Sequence, residues 1–404
     1  MNYEIKNCLC CNKSNLSCAL DLNKQPLANS YSPVGTELEE YPLAINLCED
    51  CFHLQLSFRV DPDLMFRNYL YVSGTTQTLR DYFDWFANKV KSEYPESTSV
   101  LDIACNDGSQ LNSFKKIGYN TFGIDPASNL LKLSTDSGHK VLCDYFNSNS
   151  VEKIKTFYKT PYIDVITAQN VFAHNDNPYD FLLSCKKLMH EKTKLYIQTS
   201  QATMIENNQF DTIYHEHISF FNTNSMKAVV ERAGLSLNNV EITNIHGNSY
   251  VFEIGRKKAD GQNVQNRLNH ENILGLFDKN TYLNYANFCK NICSDLKNKI
   301  NEFRNEGYKV AGYGAAAKGV VLINFAKINL DFVVDDNPLK HNLCMPGTNT
   351  LIHSPSFLSN YSNDKLVLLP LAWNFFDEIK LKVNNILGEN KASFLKYFPK
   401  VEVC

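Results

Sequence analysis

The chain has 404 residues, of which 44% are apolar and 12% aromatic, enough to build two or three buried cores rather than one. Its 40 basic and 43 acidic residues leave a net charge of −3 without a basic run, so nucleic acid is not an expected partner. No apolar stretch reaches about 18 residues and the start does not read as a secretion signal, so we expect a cytoplasmic protein with no membrane partner.

Two C-x-x-C pairs stand out in the first block of the chain, which ends at about residue 65. Cys8 and Cys11 form one pair, and Cys48 and Cys51 form the other. Each pair can turn two sulfur atoms towards one cation, and two pairs complete the four-thiolate tetrahedron that Zn²⁺ favours. Because this block has few long periodic segments, we predict a small loop-rich module organised by structural zinc.

The rest of the chain shows the pattern of α/β domains. Apolar side chains at helical spacing predict a helix over residues 76 to 92. From Ser99 onwards, short β-branched segments (SVLDIA, NTFGID, KVLC, YIDVITAQ and KLYIQTS) alternate with stretches long enough for helices, which predicts a doubly wound sheet. A helical stretch near 265 to 305 follows, and then YKVAGYGAAAKG, LDFVVDDNP and KLVLLPLAW predict a further, smaller α/β domain.

The first strand of the doubly wound sheet ends in a polar turn, Ala104-Cys105-Asn106-Asp107-Gly108. A single glycine does not give the spacing that dinucleotides require. Asp125 ends the next strand, where a carboxylate can accept both hydroxyls of a ribose, and Asp144 follows a third strand, where it can accept from an exocyclic amine. Each acid alone is as readily a helix cap, but together they predict S-adenosylmethionine. The candidate cofactor-binding residues are Asp102, Ala104, Asn106, Asp107, Gly108, Asp125, Pro126, Asp144 and Asn170.

The segment Tyr214-His215-Glu216-His217 is the main candidate for chemistry. Its spacing excludes the H-E-x-x-H site of zinc proteases. If the segment is extended, Tyr214 and Glu216 face one side and the two histidines face the other. A loop with a capping glutamate and a solvated histidine pair is the alternative interpretation.

A second turn between a strand and a helix, GYGAAAKG, lies in the last third of the chain. Gly312 and Gly314 permit a tight turn, Ala317 fits the looser G-x-G-x-x-A pattern, and Lys318 could meet a phosphate. Asp335 and Asp336 end the next strand, where a ribose-binding acid would stand. A purely structural turn is an equal alternative.

The order of these motifs resembles the sugar C-methyltransferase family, whose members methylate thymidine-diphosphate keto-sugars in deoxysugar pathways. The resemblance rests on the cysteine quartet, QPLANSY, YLYVSGTTQTLR, DIACNDGS, NVFAH, IYHEH and GYGAAAKG, and it covers essentially the whole chain. One departure is A-C-N-D-G, where the family usually has a glycine and a serine before N-D-G. The resemblance implies a zinc-binding domain (residues 1–70), a Rossmann-like methyltransferase domain (71–260) and a C-terminal α/β domain (261–404) that helps to bind a nucleotide-diphosphate keto-sugar.

The resemblance also implies roles for individual residues. Carbon methylation beside a ketone needs a base for the α proton and a donor for the enolate oxygen. By resemblance, His217 is the base, Glu216 orients it or binds a sugar amine or hydroxyl, and Tyr214 and Tyr71 stand beside the substrate. The candidate substrate-binding residues are His174, Tyr313, Lys318, Trp373 and Asn374.

Three other functions stay open at this point. One is an oxidoreductase or epimerase that uses NAD at GYGAAAK, and another is a non-catalytic paralogue that binds zinc and a nucleotide. The third is a methyltransferase acting on oxygen or nitrogen of a sugar. The residues leave open the nucleotide, the methylated ring carbon and the oligomeric state.

Overall fold

The protein is described here from a computed structural model, which covers residues 2–66, 72–245, 247–259 and 261–404. Two mostly parallel sheets, a four-stranded antiparallel sheet and a two-stranded antiparallel pair organise these residues, so the predicted α/β fold class is confirmed. None of the described helices combines the length and the apolar character that a bilayer crossing requires.

The first block contains antiparallel strands that the sequence did not predict, joined by long turns and loops. Its third strand, Glu40–Cys48, alternates buried and more exposed side chains as a half-buried strand should. The long second strand is interrupted by register shifts, which break the period of two and hide the strand from a sequence pattern. The elements of this block are β1 (Tyr3–Glu4), β2 (Leu16–Pro26), β3 (Glu40–Cys48), β4 (Leu54–Leu56), β5 (Phe58–Arg59) and α1 (Asp63–Phe66).

The central part is the doubly wound sheet that the sequence predicts. Five neighbouring strands pair in parallel and two antiparallel strands complete one edge, in the order β12-β13-β10-β9-β6-β7-β8. The small strand β11 lies instead beside β4, as the fourth strand of the antiparallel sheet. The elements are α2 (Gln77–Glu93), β6 (Ser99–Ile103), α3 (Ser109–Lys116), β7 (Asn120–Ile124), α4 (Leu131–Asp136), β8 (Lys140–Leu142), α5 (Val151–Tyr158), β9 (Ile163–Gln169), α6 (Pro178–Leu188), β10 (Met189–Ser200), β11 (Ser219–Phe220), α7 (Thr223–Arg232), β12 (Ser236–Thr243) and β13 (Ser249–Gly255).

The predicted helical stretch near 265 to 305 is two helices. Gly275, with a φ of 74°, separates them, and the side chain of Asp278 caps the second one. A mostly parallel sheet in the order β16-β15-β14-β17-β18-β19 follows. The elements are α8 (Gln262–Ile273), α9 (Lys279–Asn305), β14 (Lys309–Tyr313), α10 (Ala317–Ala326), β15 (Phe332–Val334), β16 (Ile352–His353), β17 (Leu366–Pro370), α11 (Phe376–Leu387), β18 (Ala392–Lys396) and β19 (Glu402–Val403).

The three parts share their apolar cores. One core joins the first sheet to the last α/β unit, because α9 and α10 both pack against β2. A second core joins β9, α6 and α7 of the central part to four buried cysteines of the first block, Cys8, Cys10, Cys48 and Cys51. The packing therefore brings residues from all three parts to the carboxyl edge of the central sheet.

Candidate active site

A cavity of about 410 Å³ opens at the carboxyl ends of the central parallel strands, where α/β sheets bind their ligands. Arg59 contributes to its wall from the first block, while Lys318 and Asn374 contribute from the last α/β unit. The turn after β6 and the loop with His217 line the same cavity. The cavity therefore brings together the two sites that the sequence predicts separately.

The turn after β6 is held by the acid at the end of β7. The carboxylate of Asp125 accepts hydrogen bonds from the backbone N–H of Asn106, at 2.9 Å, and of Ala127, at 2.8 Å. Ala104 and Asn106 have φ values of 60° and 51°, in the left-handed region that disfavours a Cβ atom. Ala104 therefore bears strain at a position where the family that these motifs resemble usually has glycine.

Asp102 lies at the base of this turn and is 4% exposed. Its Oδ1 accepts hydrogen bonds from the Thr167 hydroxyl, at 2.8 Å, and from the Gln110 side-chain amide, at 3.0 Å. Burial raises the pKa of Asp102 to about 7, against the opposing effect of the Thr167 hydrogen bond. A carboxylate in such surroundings is well suited to pair with a cationic group of a ligand.

The other candidate cofactor residues divide between the cavity wall and structural positions. Pro126 and Asn170 line the cavity. Asp107 instead accepts hydrogen bonds at the start of α3, where Gly108 is the N-cap residue. Asp144 forms an ion pair with Lys153 at 2.7 Å. Among the described residues, the wall does not include Asp107, Gly108 or Asp144, so the structure gives them capping and ion-pair roles.

The segment from Tyr214 to His217 is a turn, not the extended segment considered from the sequence. The His217 backbone N–H donates to the Tyr214 carbonyl at 2.8 Å, which brings both side chains to the same side. The Nδ1 atom of His217 lies 2.7 Å from the Thr212 carbonyl oxygen, which can only accept a hydrogen. In a neutral ring the proton is therefore on Nδ1 and Nε2 accepts from the Tyr214 hydroxyl at 2.8 Å; the Gln201 amide beside Nδ1 then presents its oxygen there.

The side chains around His217 have different positions. His174 packs edge-on against it, with ring centroids 5.0 Å apart, and burial lowers the pKa of His174 to about 4. Glu216 accepts a hydrogen bond at 2.6 Å from the Asn29 side chain and is absent from the cavity wall, as far as the described residues define it. His215 turns away towards the Tyr41 carbonyl. His217, Tyr214 and His174 are thus the side chains of this group that line the cavity.

Some of the residues predicted in the last α/β unit line the cavity, and others do not. Lys318 and Asn374 line the cavity, and the ammonium group of Lys318 lies 4.7 Å from the ring centroid of Trp373. Tyr313 is buried away from the cavity and donates to Asp336 at 3.3 Å. Its hydroxyl therefore serves the unit's own packing.

The turn GYGAAAKG packs closely against the residues that directly follow β17, the strand paired with β14. A Cβ atom on Gly314 would lie 2.9 Å from the Cβ of Ala372, and one on Gly319 would lie 2.6 Å from the Cβ of Leu371. The carboxylate of Asp335 already accepts from the Ala315 backbone N–H at 2.6 Å. These contacts explain the glycines by packing and favour the structural interpretation of this turn over a dinucleotide site.

Several residues of the site were missed from the sequence. Gln110, Gln169 and Gln201 line the cavity, and the Gln201 side-chain amide lies 3.0 Å from Nδ1 of His217. Gln169 and Gln201 stand at the ends of β9 and β10, a position that could have been read from the predicted parallel strands. Tyr71, a candidate from the sequence, lies outside the described residues.

The four predicted metal ligands come together. The sulfur atoms of Cys8, Cys11, Cys48 and Cys51 all lie within 4.8 Å of one another. The Cys8–Cys51 and Cys11–Cys48 pairs are each 3.5 Å apart. Four thiolates at about 2.3 Å from a central Zn²⁺ have a spacing close to this, so the cluster fits a closed structural site.

Family comparisons match the chain in series: a zinc binding domain over residues 8–66, a methyltransferase domain over 73–240 and a C-methyltransferase C-terminal domain over 244–399. The C-methyltransferase NovU of Streptomyces niveus is 26% identical over 374 residues, which cover 90% of this chain and 87% of that protein. The chain therefore carries, in series, the domains of an S-adenosylmethionine-dependent C-methyltransferase.

Other similar proteins match a smaller share of this C-methyltransferase. The ubiquinone biosynthesis O-methyltransferase of Glaesserella parasuis is 33% identical over 110 residues, which are 26% of this chain and 46% of that protein. The magnesium protoporphyrin IX methyltransferase ChlM of Synechocystis PCC 6803, solved with bound S-adenosylmethionine, has 10% sequence identity and a TM-score of 0.34. That alignment covers 44% of this chain and 79% of ChlM.

The cofactors of this C-methyltransferase are S-adenosylmethionine and a structural zinc ion, as predicted. The cavity fits the first of these. Gln110 Oε1 and both polar atoms of the Gln169 amide have no hydrogen-bond partner among the described residues, although all three are buried and both side chains line the cavity. Buried polar atoms of this kind are normally satisfied, and a polar ligand in the cavity would satisfy them.

We expect Cys48→Ser to loosen the N-terminal sheet because it removes one of four thiolates that close the site. The variant should lose zinc and more than about 2 kcal/mol of the free energy of unfolding. Metal analysis and thermal unfolding would measure both. Cys18→Ser, which changes an exposed thiol outside the cluster, is the matched control. Unchanged zinc content in Cys48→Ser would contradict the four-cysteine assignment.

We expect the affinity for S-adenosylmethionine to rise with pH. The pKa of Asp102 is raised to about 7, so its carboxyl group is mostly neutral below that pH and charged above it. If the carboxylate pairs with the cofactor's ammonium group, the dissociation constant falls by roughly tenfold from about pH 6 to about pH 7.5. Calorimetric titration across this range measures the effect. Asp102→Asn should bind more weakly and without this pH dependence, and an equal slope in both proteins would exclude Asp102 as its source.

Proposed function

We propose that this protein transfers a methyl group to a carbon beside the ketone of a nucleotide-linked 4-keto-deoxysugar. One observation carries the proposal: His217, with Nε2 directed at the Tyr214 hydroxyl, lines the same cavity as the turn after β6 and as Lys318. The motif resemblance and the similarity to a C-methyltransferase over 90% of the chain support it. The reaction needs a base and a cofactor site, and binding of the nucleotide-linked substrate needs a cation for its phosphates.

In the proposed reaction His217 removes the proton from the carbon next to the ketone. The Thr212 carbonyl keeps hydrogen on Nδ1, and the lone pair of Nε2 becomes available for the proton once the Tyr214 hydroxyl turns from Nε2 to the ketone oxygen. The C–H electrons form the carbon–carbon double bond of an enolate, and the ketone oxygen takes the negative charge. When bound, S-adenosylmethionine supplies the electrophilic methyl group that this carbon needs.

Tyr214 is the proposed donor to the enolate oxygen. Its hydroxyl lies 2.8 Å from Nε2 of His217, so a substrate beside this pair would meet the donor and the base together once the hydroxyl turns to the ketone oxygen. We propose that Tyr71 also stands beside the substrate. The hydrogen bond from Asn29 gives Glu216 a further role, which is to anchor the loop to the N-terminal sheet.

The nucleotide diphosphate is the proposed ligand of the cavity wall formed by the last α/β unit. Lys318 supplies a positive charge there, and Asn374 supplies a neutral amide. His174 is held neutral by burial, packs against His217 and lines the same cavity, where it can contact the sugar ring. A substrate that spans the cavity would touch all three residues.

The proposal is tested by incubating the purified protein with S-adenosylmethionine and a panel of 4-keto nucleotide sugars in deuterated water. We expect one substrate to gain a methyl group and to exchange its α hydrogen, both read by mass spectrometry. Each 4-hydroxy sugar of the same nucleotide is the matched control, because it lacks the acidic α hydrogen. Methyl transfer to oxygen or nitrogen without exchange would contradict the proposal, and would favour the chemistry of the O-methyltransferase relative.

We expect His217→Asn to bind S-adenosylmethionine within about twofold of the unchanged protein while losing methyl transfer by roughly 100-fold or more, because the base is gone. Rates with the best substrate and calorimetric binding measure the two effects. His190→Asn, in β10 and outside the described cavity wall, is the control and should remain active. Retained α-hydrogen exchange in His217→Asn would show that the base lies elsewhere.

A further inference from the structure

We propose that Asp211 is a positioning residue that couples a diphosphate group bound at Lys318 to the loop that carries His217. This inference rests on the proposed function, which it extends by linking the substrate's anionic end to its reacting end. None of the motifs recognised in the sequence includes Asp211, which precedes IYHEH by two residues.

Asp211 is a fully buried acid with an uneven set of partners. It has 0% exposure, and its Oδ2 accepts from the Trp373 indole N–H at 2.6 Å and from the Tyr397 hydroxyl at 3.3 Å. Its Oδ1 has no hydrogen-bond partner among the described residues. Burial raises the pKa of Asp211, and the nearby Lys318 ammonium group opposes that rise. An incompletely satisfied buried acid is costly to the fold, so a positioning role accounts for it better than packing does.

Trp373 carries the effect of Asp211 into the cavity. Because the indole N–H is bonded to the carboxylate, the ring is held in one orientation. The Lys318 ammonium lies 4.7 Å from the centroid of that ring, within the range of a cation–π contact, and Lys318 lines the cavity. The carboxylate thereby sets the position of the one lysine ammonium among the described wall residues.

Asp211 acts on the base through Thr212, the residue that follows it. The carbonyl of Thr212 is the 2.7 Å acceptor for Nδ1 of His217. A shift of Asp211 towards or away from Trp373 therefore moves the group that orients the imidazole. Two consecutive residues connect the anion contact on one side of the cavity to the base on the other.

The ligand expected at Lys318 is a diphosphate. A dianionic oxygen cluster attracts the ammonium more strongly than an aromatic face does, so binding should draw Lys318 away from Trp373. Trp373 is one of two tryptophans in the chain, and the other, Trp85, is 45% exposed on α2. In a Trp85→Phe background, the fluorescence of Trp373 alone reports this event.

The test titrates the full chain, with zinc bound, with thymidine diphosphate and with inorganic pyrophosphate. Affinities come from calorimetry for all variants, and Trp373 fluorescence is followed in Trp85→Phe. We expect both anions to bind and to change the fluorescence. Asp211→Asn and Trp373→Phe should each weaken thymidine diphosphate binding by roughly tenfold, with S-adenosylmethionine affinity unchanged.

A double-mutant cycle separates positioning from a general loss of structure. Asp211→Asn combined with Trp373→Phe should bind thymidine diphosphate no more weakly than either single variant, because both changes break the same contact. Tyr397→Phe removes the other donor to Asp211 and keeps the indole bond, so it is the matched control, with affinity within about twofold. If Asp211→Asn does not fold, the thymidine diphosphate affinity of Trp373→Phe is compared with that of Tyr397→Phe. A loss in the first variant alone supports the positioning role.

The outcomes distinguish this inference from the proposed function. Unchanged diphosphate affinity in Trp373→Phe, or additive losses in the double variant, would overturn the inference. So would a protein that binds S-adenosylmethionine but neither of the two anions. Diphosphate binding that behaves as expected, without methylation of any keto-sugar, would overturn the proposed function and leave the inference standing.

Discussion

The backbone pairing between β4 and β11 holds the candidate site together. The Leu56 N–H donates to the Ile218 carbonyl, and the Ile218 N–H donates to the Ala173 carbonyl, each at 2.8 Å. Ile218 directly follows His217, so the end of the loop is bonded to the N-terminal sheet on one side and to the loop with His174 on the other. Backbone hydrogen bonds that are buried in this way leave little freedom to the residue that precedes them.

Zinc contributes to the same constraint without touching the cavity. The side chains of Asn222 and Asn224, at the start of α7, donate to the carbonyls of Phe52 and Cys51. At the other end of α7, Arg232 donates to the carbonyl of Cys10. The helix after β11 is therefore docked on the loops that the metal orders. A structural ion can in this way influence the position of His217, a residue that it does not contact.

The four buried aspartates among the described residues are of two kinds. Asp125 and Asp335 each accept backbone N–H groups of the turn beside them, so the two α/β units close their first turn by the same device. Asp102 and Asp211 are different, because their carboxylates accept hydrogen bonds from side chains: Thr167 and Gln110 donate to Asp102, and Trp373 and Tyr397 donate to Asp211. Buried acids held by side chains can sense a ligand that moves those side chains, whereas an acid that completes a turn is fixed by the backbone.

The sequence by itself determined the elements whose signal is local. Short β-branched segments and polar turns predicted the parallel strands of the central sheet, and C-x-x-C spacing predicted the cysteine cluster, because both patterns depend on neighbours in the chain. The motif order predicted the family, and with it the segment of His217 and Tyr214.

Tertiary structure alone decided how these parts meet. The register shifts of β2 concealed a strand, and the pairing of β11 with β4 joins residues more than 150 positions apart, so neither left a periodic signal. The same holds for Asp211, whose partners Trp373 and Tyr397 lie in the last α/β unit. It is likewise the fold that removes Glu216 from the described cavity wall and bonds it to Asn29. A residue's type limits the chemistry it can do, but the packing of distant segments decides which ligand or side chain it meets.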